Sequence, residues 1–130
     1  MIAKFLALVF FAAQAPAQPA PQPAPESPSA AEAPAPLAAD QQGAIRCSAA
    51  FALIAQRQQQ GDETALAYPP MAERGREFFV RTGARLMDET GMTREAVEAR
   101  LRAQAGVILA EGSLDEIMPA CLMLLDASGL

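Results

Sequence analysis

A small all-α domain closed by one disulfide is the fold class this sequence predicts, and three observations predict it. Between residues 40 and 130 apolar side chains recur every three to four positions, with no stretch of strict alternation. Glycines stand where such segments would stop, at Gly61, Gly91 and Gly112. The only two cysteines, Cys47 and Cys121, lie near the two ends of the same segment. Four helices with brief connections then pack most simply as an antiparallel, four-helix bundle-like domain, with the bridge tying the first helix to the fourth.

Asp40 is placed to cap the first helix, whose Cys47, Ala50, Phe51 and Ile54 recur at helical spacing before the polar run 56–60. Because residues 47–55 are nearly all small or apolar, this helix is expected to lie deep. The second opens at Pro70, in the tolerated first turn, and runs to Glu89 with a core face of Met71, Gly75, Phe78, Thr82 and Leu86. Thr93 caps the third, where Met92 and Val97 can form a hydrophobic staple and Val97, Leu101, Ala105 and Ile108 face inward. Ser113 and Glu116 read as a capping box for the fourth, which carries Leu114, Ile117, Met118, Cys121, Leu124 and Leu125. Pro119 calls for a kink there or a start one turn late.

Upstream of this domain the chain changes character twice. Lys4, the apolar run 5–13 and the small pair Ala15 and Ala17 have the order of a secretory signal peptide, so residues 1–17 are expected to be removed after Ala17. The apolar run is far short of the about 20 residues that cross a bilayer. Residues 18–39 are dominated by proline and alanine, with Glu26 and Glu32 as the only charges, and are expected to form a disordered linker. Export would place Cys47 and Cys121 in an oxidising compartment, periplasmic or extracellular, where a bridge persists.

Composition excludes several roles. The net charge is −5, and the nine arginines of the domain face 13 acids, so a nucleic-acid partner is not expected. With no histidine the chain lacks the usual proton shuttle and the commonest metal ligand. Neighbouring acids such as Asp62 with Glu63, Asp88 with Glu89 and Asp115 with Glu116 point about 100° apart on a helix and do not converge. No catalytic residue, metal or cofactor is therefore expected. Arg74, Arg81 and Arg85 share one side of the second helix, yet Glu77 and Glu89 stand four residues from Arg81 and Arg85, which reads as a solvated ladder of ion pairs.

The expectation that remains is binding. On the second helix Phe79, Val80, Gly83 and Met87 widen the apolar arc beyond one packing seam, and Met123 on the fourth helix is a further exposed candidate. That arc is explained either by two neighbours within the bundle or by an interface, with an envelope protein or a second copy of the chain as partner. A carrier of a small hydrophobic ligand within the bundle is the alternative, and it requires an enclosed apolar cavity. In layout the chain resembles small exported bacterial helical proteins with one disulfide, acid-stress chaperones and secretion-system immunity proteins among them, and no residue motif carries binding residues over from them.

Overall fold

The structure, a computed structural model, describes residues 36–130. The expected signal peptide and linker residues 18–35 lie outside the described residues. Five helices form: α1 (Ala39–Gln59), α2 (Glu63–Leu66), α3 (Arg74–Thr90), α4 (Arg94–Glu111) and α5 (Leu114–Ala127), with no strand among the described residues.

The arrangement differs from a four-helix bundle, in which each helix has two neighbours. Here α1 is a hub that packs against each of the other four. Ile45, Cys47, Ser48, Ala49, Ala50 and Phe51 are all buried, and residues that close in sequence point all round a helix. The small Cys47, Ser48, Ala49 and Ala50 let flanking helices approach α1 from several sides. Ile54 of α1, with Met71, Phe78, Ile108, Met118 and Leu125 around it, completes the main core. Phe51 and Phe78 meet edge to face with ring centroids 5.3 Å apart. A Cβ added at Gly75 would lie 2.9 Å from Cβ of Phe51, so glycine is what allows α1 and α3 to come this close. The disulfide joins α1 to α5, with Cα atoms of Cys47 and Cys121 5.1 Å apart.

All five residues expected on the core face of the second helix are buried, as Met71, Gly75, Phe78, Thr82 and Leu86. Several boundaries differ from expectation, each for a local reason. The N-cap of α1 is Ala38, whose N–H donates to Oε1 of Gln41 at 3.0 Å, and Asp40 lies in the first turn. Leu37, placed in the linker by composition, is buried with Ile45, Leu86 and Val97 in a second apolar cluster. The helix expected from Pro70 starts at Arg74 instead. Gln58 ties down the preceding loop: its Nε2 donates to the carbonyls of Ala65, Tyr68 and Pro69, and its Oε1 accepts from the N–H of Met71. Thr93 does cap α4, accepting from Ala96 at 3.2 Å. The capping box at Ser113 does not form, because its hydroxyl donates to Glu111 at 3.3 Å. α5 runs unbroken across Pro119.

The expected ladder on α3 is present, Arg81 with Glu77 at 3.1 Å and Arg85 with Glu89 at 2.8 Å. Arg85 also reaches Asp40, and Gln41 donates to Glu89 at 2.9 Å, so this exposed cluster ties the start of α1 to the end of α3. Hydrogen bonds from Arg85 hold the carboxyls of Asp40 and Glu89 below their ordinary range, and Gln41 adds to the effect on Glu89. Carboxylates lowered in the folded state contribute stability above the unfolded carboxylate range of about pH 4, and lose it as pH falls through the lower folded values. Arg85→Met should therefore be less stable than the unaltered protein near neutrality, with the gap closing as the solution is acidified below about pH 4. Urea unfolding at stepped pH checks this, and a gap independent of pH would assign Arg85 to packing instead.

Candidate functional site: an apolar groove between two helices

At one end of their contact, α3 and α4 pack closely through Leu86, Met87, Val97 and Leu101. Gly83 is buried there, where a Cβ would meet Cγ1 of Val97 at 3.8 Å. Nearer the start of α3, the space between the two helices is a groove of about 420 Å³. Its floor is α1, through Ser48, Ala52 and Ala55, and its walls are Gly75 and Phe79 of α3 and Leu101 and Ala105 of α4. Small residues make the floor low, and half-buried Leu101 and Ala105 form a wall because no further helix among the described residues covers them. Gln56, Arg76 and Arg102 stand exposed at the rim. The hydroxyl of Ser48 is already satisfied, donating to the carbonyl of Ala44 at 2.8 Å. An occupant therefore meets apolar surface inside and cations at the edge.

A second depression of about 170 Å³ shares Phe79 and continues along the same two helices past Val80, Gly83, Met87, Arg94 and Glu98. Four of the five candidate interface residues are thus gathered along one cleft, in different states. Val80 is 53% exposed, Phe79 and Met87 are half-buried, and Gly83 is covered by Val97. Met123 is 74% exposed on α5 and lines neither depression.

Sequence reasoning assigned Leu101 and Ala105 to the core and did not single out Ala52, Ala55, Arg76 or Arg102. One signal was present. At about 100° per residue, Arg76 falls between Phe79 and Val80 on the helix projection, so it is a cation inside the apolar arc of α3.

A larger hollow of about 510 Å³, bounded by α1, α3 and the end of α5, includes Asp40, Phe78, Arg81, Arg85, Leu124 and Leu130. Its arginines are engaged in the ladder described above, and Arg74 nearby pairs with Asp126 at 2.9 Å and donates to the carbonyl of Leu130. No cation is left there to recognise a ligand. Two carboxyls elsewhere have local structural partners: Asp62 caps α2 through the N–H of Ala65, and Asp115 accepts from the Tyr68 hydroxyl at 3.0 Å. Burial, and then that carboxylate, raises the pKa of Tyr68. Among the described residues no three His, Cys, Asp or Glu come together as around a metal ion, and no helix is long and apolar enough to cross a membrane.

No protein-family model matches the chain, and neither a curated protein nor a solved structure matches it.

Proposed function

We propose that this protein is an exported binding module of the bacterial cell envelope, periplasmic or secreted, which receives apolar side chains of a protein partner in the groove between α3 and α4. The observation that carries this reading is the groove itself: an apolar trough, uncovered among the described residues, whose buried polar group, Ser48, is satisfied and whose charges stand at the rim. Val80, 53% exposed, and Leu109, 52% exposed, extend the apolar surface on either helix, Leu109 lying four residues beyond Ala105 on the same stripe. The Cys47–Cys121 bridge suits an oxidising compartment.

Carriage of a small hydrophobic ligand is the second reading, favoured by a volume within the about 300–1,000 Å³ of ligand sites. Such sites bury most of the ligand, about 70–90% of its surface. Here Ala52, Gln56, Ala72, Arg76 and Arg102 of the lining are themselves exposed, which favours an occupant large enough to cover them.

A photo-crosslinking residue in place of Ala72, in the full chain expressed in a bacterial envelope, should yield one discrete protein adduct, and the same residue at exposed Thr64 on α2 should yield none. The captured protein, once purified, should bind the unaltered chain and lose binding to Ala52→Phe, which fills the groove from its exposed floor without shifting thermal unfolding. Absence of any protein adduct, together with an apolar molecule retained in the native mass spectrum, would transfer the role to a carrier.

A further inference from the structure

We infer that the segment received by this groove is an acidic amphipathic helix, laid along the α3–α4 cleft for about three turns. The inference rests on the binding role proposed above and specifies its partner. The two depressions meet at Phe79, and from Gly75 to Met87 the cleft follows α3 for roughly 18 Å at about 1.5 Å per residue. That length accommodates apolar side chains at positions i, i+3 or i+4, and i+7 of a single helix, the spacing by which amphipathic helices enter grooves.

Charge selects among such helices. Acids outnumber arginines 13 to nine in residues 40–130, yet the charged residues lining the cleft are Arg76, Arg94 and Arg102 with Glu98 alone opposing them. The cations stand on both walls, Arg76 on α3 and the other two on α4. Arg76 and Arg94 make no ion pair among the described residues, and Arg102 approaches Glu98 only to 4.0 Å with its side chain 74% exposed. At physiological ionic strength the field of the rest of the surface fades over about 8 Å, so contact pairs at the rim decide the preference rather than net charge. Guanidinium forks donate to carboxylates in bidentate geometry, which suits glutamates flanking an apolar stripe.

The test uses the full chain labelled with ¹⁵N and two synthetic helical peptides that share a leucine stripe at i, i+3, i+4 and i+7, one flanked by glutamate and the other by lysine. The glutamate peptide should shift the amides of Ala52, Gly75, Phe79, Leu101 and Ala105 and bind about tenfold more tightly, the summed size of two or three exposed pairs. Arg76→Glu combined with Arg102→Glu should reverse the order of the two peptides, and both positions are exposed, so the amide spectrum should otherwise be preserved. Equal binding at the groove, or an order unchanged by the double substitution, would overturn the acidic-helix inference and leave the groove as a binding surface. Shifts at the groove from neither peptide would remove the groove reading and this inference together. Displacement of the glutamate peptide by laurate at lower concentration would assign the cleft to a small amphiphile. Concentration-dependent shifts of the same amides in the protein alone would assign it to a second copy, and either result counts against the proposal.

Discussion

Reducing the Cys47–Cys121 bridge should lower the unfolding free energy of the domain by about 4–5 kcal/mol. The two cysteines are 74 residues apart, and in the chain-entropy model a loop of that size is worth about 4.5 kcal/mol through restriction of the unfolded chain. A domain of this length holds only about 5–15 kcal/mol in total, so the bridge separates a stable protein from a marginal one. The corresponding fall in Tm is roughly 20–30 °C. Reduction is the cleaner experiment because both sulfurs stay in place. Converting the pair to alanine should cost somewhat more, since Cys47 and Cys121 are buried and their removal also thins the packing. The loss should concentrate in α5, which rests on α1 and α3, so its amides should exchange first in the reduced protein. Urea unfolding with and without reductant measures the effect. A change below about 1 kcal/mol would mean that the unfolded chain already keeps its two ends together, contrary to the loop model.

What could be read from the sequence was what a single helix determines about itself. The helical arithmetic of Gly75, Phe78, Thr82 and Leu86 needed no neighbour to be right, and Gly91 and Gly112 end their helices at φ 70° and 64°, where glycine is favoured. α2 escaped notice because it has four residues and a single buried one, Ala65, too few to show a period. Gln58 looked like part of a solvated polar run, and only the folded loop reveals that its amide serves four backbone groups. The groove was illegible for the same reason. Leu101 and Ala105 carry the period of a core stripe, and what leaves them half-covered is the arrangement of α3 and α4 on α1, a property of three helices together. Of the candidate interface, Phe79 and Val80 belong to the open cleft while Gly83 is covered by packing within the domain, so internal packing accounts for only part of the apolar arc.

Phe51→Ala should cost about 4–5 kcal/mol, near the top of the range for removing a buried phenylalanine. The ring is fully buried, meets Phe78 edge to face, and separates the main core from the floor of the groove. Large-to-small substitutions are least costly where the surroundings can close on the void, and here they cannot. The closest approach of α1 to α3 at this point is set by Cβ of Phe51 against Gly75, and alanine retains that Cβ. Removing the ring therefore leaves the two helix backbones where they were, with an unfilled space beside them. Because Phe51 also lines the groove, that space should open onto solvent and admit water, so the substituted protein should not gain a dry cavity able to hold an apolar gas or benzene. Partner affinity should fall as well, since the ring that supports the floor of the groove from beneath is lost. A reduced urea midpoint at unchanged slope would report stability alone. A cost below about 2 kcal/mol would show that α1 and α3 can move together after all, and that Gly75 does not fix their separation.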